Sequence, residues 1–326
     1  MSDLRNKLVI GFILGLVVIV ALLLYADLTQ VIASLESFTW AYLPLILGLT
    51  LSNYALRFVK WHVYLRLINV TQISIADSLL IFVGGFTMVL SPGKVGELLK
   101  SLALKEMTGT PISRSAPVIM AERLSDGLAM LLLAMAGVAA NPRYLPLFLL
   151  VLGLLSAGVL VIQIQPLAYR LLALAERMPV LSRFARALYD FYASSFELLR
   201  LKNLLFAVGL GTLSWALEGV ALYLVLIGLG VAPGATLLGQ AIFILSFATI
   251  VGALSALPGG LGAAEASLGV MLGLVVGLDR SLAGTVTLMI RFCTLWFAVL
   301  LGMSVLIFFR QRLFPQEQLP LKPEHT

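Results

Sequence analysis

Apolar runs about 20 residues long follow one another through most of this chain, and their recurrence constrains its fold more than any other feature. A run of this length crosses the roughly 30 Å hydrocarbon core of a bilayer as a helix, which satisfies its backbone N–H and C=O groups without water. With 60% hydrophobic and 12% charged residues in 326, and a mean hydropathy of +1.04, no stretch remains that could fold as a separate water-soluble domain. The sequence therefore predicts an all-α polytopic membrane protein. Six full transmembrane helices are expected at about 8–25, 41–65, 115–139, 144–164, 204–228 and 282–308. The first follows Arg5 and Lys7 but is long for a secretory signal, and reads as a retained signal-anchor.

Two segments interrupt the pattern. Ser91-Pro92-Gly93-Lys94-Val95-Gly96-Glu97 and Leu257-Pro258-Gly259-Gly260-Leu261-Gly262-Ala263-Ala264-Glu265 each break an apolar stretch and end on an acid. Irregular backbone is tolerated at membrane depth only where protein or a hydrated cavity satisfies it. The matched breaks thus predict two re-entrant broken-helix hairpins, near 77–105 and 237–276. Pro92, Gly93 and Gly96 supply the first break, and Pro258, Gly259, Gly260 and Gly262 the second. A helix starting at Pro92 and capped by Ser91 would offer free N–H groups to a phosphate, aided by Lys94. Glu97 and Glu265 are placed either to face a ligand or to satisfy the helix termini themselves.

Basic residues are unevenly spread, and the net charge of +6 is read through their placement rather than as a nucleic-acid signal. With the N-terminus cytoplasmic, Arg57, Lys60, Arg66, Lys100, Lys105, Arg114, the six basic residues from Arg170 to Lys202, Arg310, Arg312 and Lys322 fall on the cytoplasmic side. Only Arg143 and Arg280 fall outside. Both termini are then cytoplasmic in a bacterial-type cytoplasmic membrane, and the two hairpins enter from opposite faces as an inverted repeat. Ile81-Phe82-Val83 corresponds to Ile242-Phe243-Ile244 in this comparison, and Arg123 with Leu131-Leu132-Leu133 to Arg291 with Val299-Leu300-Leu301. The expected organisation is one membrane domain over 1–313, with halves at about 41–139 and 204–308. An amphipathic linker at 165–202 lies on the inner leaflet, and a polar tail at 314–326 is expected to be disordered.

Glu122, Arg123 and Asp126 lie two to three turns inside the third crossing, Glu218 deep in the fifth, and Arg291 inside the last. Each would cost about 2.5 kcal/mol or more facing lipid, so they are expected to face the protein interior, as a ligand site or as an ion-pair clamp. Arg57 and Lys60, near the inner end of the second crossing, read as snorkelling to the headgroups. Taken together, Lys94, Arg123 and Arg291 against Glu97, Glu122, Asp126, Glu218 and Glu265 give three basic and five acidic candidates. That balance suits a zwitterionic or cationic lipid. Cys293 is alone, and the only histidines are His62 and His325, so neither a disulfide within the chain nor a metal site is expected, and no cofactor.

Through Ser91–Glu97, Glu122-Arg123-Leu124-Ser125-Asp126 and Pro258–Gly262 with Glu265, the chain resembles the lysylphosphatidylglycerol synthase transmembrane-region family. The resemblance covers nearly its whole length. It implies an integral inner-membrane protein with a flippase-like domain, which in some members moves a modified phospholipid between leaflets. No aminoacyltransferase domain follows residue 310, so a stand-alone member is expected. The leading expectation is a lipid translocator, with membrane lipids and a lipid-synthesis enzyme as partners. The alternatives are an enzyme acting on a lipid phosphate and a scaffold for a lipid-synthesis complex. The chain carries no Gly-x-Ser-x-Gly elbow or nucleotide-binding loop that would favour the enzyme.

Overall fold

The computed structural model describes residues 2–90, 98–140, 142–178 and 182–313, and among them every regular element is helical. The six expected crossings correspond to α1 (Ser2–Ala26), α3 (Leu43–Leu67), α6 (Ile112–Ala140), α7 (Leu145–Gln163), α10 (Leu201–Gly228) and the run formed by α13 (Arg280–Arg291) and α14 (Phe297–Leu313). Among the described residues six helices are apolar and long enough to span a membrane, four of them at expected crossings (Trp40–Leu67, Pro142–Gln163, Leu201–Gly228 and Arg280–Leu313) and two in the expected second hairpin (Ala235–Leu254 and Pro258–Val276); α1 qualifies only together with the helix after it. Between α1 and α3 lies α2 (Leu28–Ser37), which the hydropathy pattern did not predict. The chain bends by 88° to enter it, and the Asp27 side chain accepts the Thr29 N–H at its first turn.

Local chemistry sets the remaining ends. Pro44, Pro146 and Pro166 sit in the first turns of α3, α7 and α8 (Gln165–Glu176), where their missing N–H has no intrahelical partner to lose. Ser74 accepts the Asp77 N–H to start α4 (Ile75–Gly84), and Asp279 accepts two N–H groups at the start of α13. Gly109, with φ +73°, closes α5 (Leu99–Thr108). The linker forms two helices, α8 and α9 (Ala185–Leu198).

Two apolar cores lie at opposite ends of the helices. The first joins Ile46 of α3, Ala134 of α6, Leu222 of α10, Phe243 of α11 (Ala235–Leu254), Leu268 of α12 (Ala263–Met271) and Val286 of α13. The second joins Trp61 of α3, Phe82 of α4, Leu104 of α5, Ala121 of α6, Ala207 of α10 and Ala298 of α14. Because α3, α6, α10 and the α13–α14 run contribute to both cores, they form the through-going frame. The turns fall at two ends: Tyr144, Leu229 and Leu278 pack on the first core, whereas Ile73, Met107 and the α9 residue Leu198 pack on or within the second.

The second broken segment is an out-and-back hairpin. α11 leaves the first core, and α12 with the widened π-turn Leu272–Val276 returns to it; Gln240 of α11 donates to the Val275 carbonyl at 2.9 Å, closing the base. At its tip Ala256, Gly259, Gly260 and Gly262 all have positive φ, from 55° to 84°. Left-handed backbone of this kind costs an L-residue roughly 1–2 kcal/mol, and glycine avoids that cost. At Gly260 a Cβ would also stand 3.1 Å from Gly252 Cα, so the tip packs directly on α11. The hairpin's two arms, Ala235–Leu254 and Pro258–Val276, are each long enough by themselves to cross a membrane. Of the first broken segment, α4, the 3₁₀ turn Gly85–Leu90 and α5 are described; Pro92, Gly93, Lys94, Gly96 and Glu97 lie outside the described residues, as does the tail 314–326. The 3₁₀ turn touches the tip of the second hairpin, so the two broken segments meet.

These differences predict opposite outcomes for two glycines. Gly260→Ala should lower stability in detergent by more than the ~1 kcal/mol cost of left-handed backbone. Gly239→Ala, inside α11 with nothing within 4 Å of the added methyl, should raise it by about 0.5–1 kcal/mol. Thermal unfolding of the two variants beside wild type reads both shifts.

Candidate functional site

Between the two cores, three ion pairs bridge the elements. Lys60 of α3, 1% exposed, bonds Asp126 of α6, 2% exposed, and also donates to the Ser125 hydroxyl at 3.3 Å. Lys100 of α5 donates to Glu122 of α6 at 2.6 Å. Its ammonium lies 4.5 Å from the Trp61 ring centroid, and its stem lies against Gly85, where a Cβ would come within 2.7 Å of Lys100 Cγ. Arg291 of α13 donates through Nε to Glu265 of α12 at 2.5 Å and through Nη2 to the Gly259 carbonyl at 3.1 Å. The other oxygen of Glu265 accepts the Gly262 N–H at 2.7 Å. Arg291 and Glu265 therefore satisfy the broken backbone of the hairpin tip and tie it to α13. Immediately after Arg291 the helix widens into a π-turn, Phe292–Trp296, and the Tyr54 hydroxyl of α3 donates to the Thr294 carbonyl within it at 2.7 Å.

These pairs edge one cavity of about 440 Å³. Its charged lining is Arg57, Lys100, Arg123, Asp126, Glu218 and Arg291, set in apolar walls that include Phe86, Met130, Trp215, Leu245 and Ile250. Arg57 lies 5.4 Å over the Trp215 ring and 3.9 Å from Asp126 Oδ2. Arg57 Nε and Asp126 Oδ2 are buried without a hydrogen-bond partner, which is costly unless something polar fills the space beside them. Glu218 of α10, 6% exposed, feels the charges of Arg57 and Arg291, yet forms no ion pair within 4 Å with either. The cavity can thus receive a polar, charged group while its apolar walls accept hydrocarbon.

Of the residues singled out from sequence, Arg123, Asp126, Glu218 and Arg291 line this cavity, and Glu122 and Glu265 pair with cations in its wall. Lys94 and Glu97 lie outside the described residues. Three participants were counted on the cytoplasmic side, Arg57 and Lys60 of them as snorkelling residues, and are corrected here. Lys60 is buried on Asp126 rather than snorkelling, Arg57 turns inward, and Lys100 is held between Glu122 and two aromatic rings. Their position near helix ends suggested headgroup contact. The overlooked signal was that Arg57 and Lys60, at i,i+3, share one face of α3, and that face meets α6.

The charge balance changes accordingly. Among the described residues, five cations (Arg57, Lys60, Lys100, Arg123, Arg291) surround or line the cavity with four acids (Glu122, Asp126, Glu218, Glu265). The earlier preference for a cationic or zwitterionic headgroup rested on an acidic excess that these positions do not have. Among the described residues no group of three or more His, Cys, Asp or Glu is arranged to hold a metal ion.

Residues 12–302 match the family described as "Lysylphosphatidylglycerol synthase TM region". Two proteins of the archaeon Methanothermobacter thermautotrophicus (strain Delta H), both described as "UPF0104 membrane protein", are similar along nearly their whole lengths. One is 27% identical over 311 residues, covering 89% of this chain and 90% of its own. The other is 22% identical over 329 residues, covering 94% and 96%. No solved structure is a significant match.

The Lys60–Asp126 pair predicts non-additive stability. Asp126→Leu should destabilise by about 3–5 kcal/mol by leaving Lys60 buried without its counter-ion, and Lys60→Met in the same chain should recover most of that loss. A double-mutant cycle of unfolding in detergent measures the coupling.

Proposed function

The chain belongs to the lysylphosphatidylglycerol synthase TM-region family of integral membrane proteins, and on that premise we propose that it moves a lipid with an anionic headgroup between the leaflets of a cytoplasmic membrane. The observation that carries this reading is the cavity itself: five cations and four acids drawn from six helices converge beside apolar walls. A charge buried at membrane depth is expensive, and so many in one place favour a hydrated path for a polar group over a packing device. Arg57, Arg123 and Arg291 are suited to a phosphate, whose oxygens match the guanidinium fork, while the acyl chains stay in lipid.

The arrangement of the turns supports an orientation. Arg170, Arg177, Arg183, Arg186, Arg200 and Lys202 flank or lie on α8 and α9, at the end of the second core, and by the positive-inside rule they support a cytoplasmic location for that end. The α11–α12 hairpin then enters from the outside and the α4–α5 segment from the cytoplasm, as a re-entrant inverted pair in contact through the Gly85–Leu90 turn and the Pro258–Gly260 tip. Rocking of the two halves about that contact would open the cavity to each side in turn.

A second reading, a scaffold clamped by buried ion pairs, draws support from the three close pairs. It leaves Arg57 Nε, Asp126 Oδ2 and the separated Glu218 without purpose. The two readings part in proteoliposomes carrying fluorescent phosphatidylglycerol, phosphatidylcholine or a polyprenyl phosphate in one leaflet. Wild type should move an anionic lipid faster than phosphatidylcholine. Arg57→Ala should slow it about tenfold or more, the equivalent of the ~1.5–3 kcal/mol of a hydrogen bond to a charged group. Correctly inserted wild type that moves none of the three would favour the scaffold.

A further inference from the structure

We infer that Glu218 takes up a proton when an anionic group occupies the cavity and releases it when the cavity empties, so that lipid movement responds to a pH gradient. The inference rests on the translocator reading and adds a coupling ion to it.

The argument starts from how differently the four acids are held. Asp126 is bonded to Lys60, Glu122 to Lys100, and Glu265 to both Arg291 and the Gly262 N–H. Each of these carboxylates has a direct cationic partner. Glu218 is as deeply buried as they are and lines the cavity, yet among the described residues no cation lies within 4 Å of it. Its charge is supported only at a distance, by Arg57 on α3 and Arg291 on α13, and is opposed by Asp126 on α6. Arg123 on α6 and Lys100 on α5 line the same cavity, and Tyr54 on α3 also faces it; α11, also packed on α10, carries no titratable group. Glu218 is therefore the acid whose charge depends most on what else occupies the space between two arginines.

An anion entering that space competes with Glu218 for the same cations. It adds a like charge beside the carboxylate and takes over the favourable field of Arg57 and Arg291, and both effects favour the protonated acid. The balance is simple: one monoanionic phosphodiester in, one proton onto a Glu218 oxygen, no net change of charge in the cavity. On release the proton leaves with the anion. A gradient acid on the side where the lipid starts would then drive movement, and one acid on the far side would retard it.

The test uses the full-length protein in proteoliposomes with fluorescent phosphatidylglycerol in one leaflet and the membrane potential clamped. Acidifying the labelled side should speed movement severalfold in wild type, nigericin should abolish the difference, and Glu218→Gln should not respond to the gradient. A second readout does not depend on transport. In detergent, dioctanoyl phosphatidylglycerol should raise the infrared band of a protonated carboxyl in wild type but not in Glu218→Gln. Wild-type movement that ignores the gradient, or an infrared band that persists in Glu218→Gln, would overturn the coupling while leaving the translocator intact. Absence of movement for every lipid would overturn both.

Discussion

Placing ionised side chains inside a membrane protein is tolerable only if each finds a partner or reaches water, and that constraint organises this structure. The Lys60–Asp126 bond fixes α3 against α6, Lys100–Glu122 fixes α5 against α6, and Arg291–Glu265 fixes the hairpin tip against α13. Apolar contacts at the two ends of the helices hold the frame but do not by themselves select which faces meet in the middle, since hydrocarbon packs on hydrocarbon and lipid competes equally. The ion pairs supply that selectivity. They also hold open the space they surround, because the Lys100 and Arg57 side chains and the aromatic rings of Phe82 and Trp215 line its edge rather than fill it.

The helical membrane architecture was legible from length and hydropathy because a crossing must be both continuous and apolar, and six such runs were found close to their observed limits. The glycine-rich break at 257–262 was legible for a related reason: three residues with positive φ cannot sit in a helix, and all three are glycine. The pairing of charges was only half legible. Arg123, Asp126, Glu218 and Arg291 stood out by depth, but a lysine within two turns of a helix end has two physical options, and sequence spacing does not say whether the helix end is exposed. For Lys60 and Lys100 the choice was decided by α6, whose acids lie far away in sequence. The bend into α2 was hidden because its amphipathic turns continue an apolar run.

The proposed function rests on an asymmetry among these charges. Three pairs are closed, direct and buried, as expected of structural elements. Arg57 and Glu218 are not: one has an unsatisfied buried nitrogen, the other a carboxylate with cations near but not touching. Groups left incompletely satisfied in a low-dielectric cavity favour whatever completes them. A phosphate with a mobile proton would do so for both at once. The π-turn after Arg291 and the positive-φ tip beside Gly259 put irregular backbone next to the same residues, which is where a two-state element would be expected.

The most direct measurement is a density map of the protein in nanodiscs containing phosphatidylglycerol, resolved well enough to locate a headgroup. The account predicts a phosphate within hydrogen-bonding distance of Arg57 and Arg291, its acyl chains passing out along the apolar wall near Met130 and Ile250. A cavity that holds only water, with every ordered lipid confined to the outer surface of the helices, would contradict it.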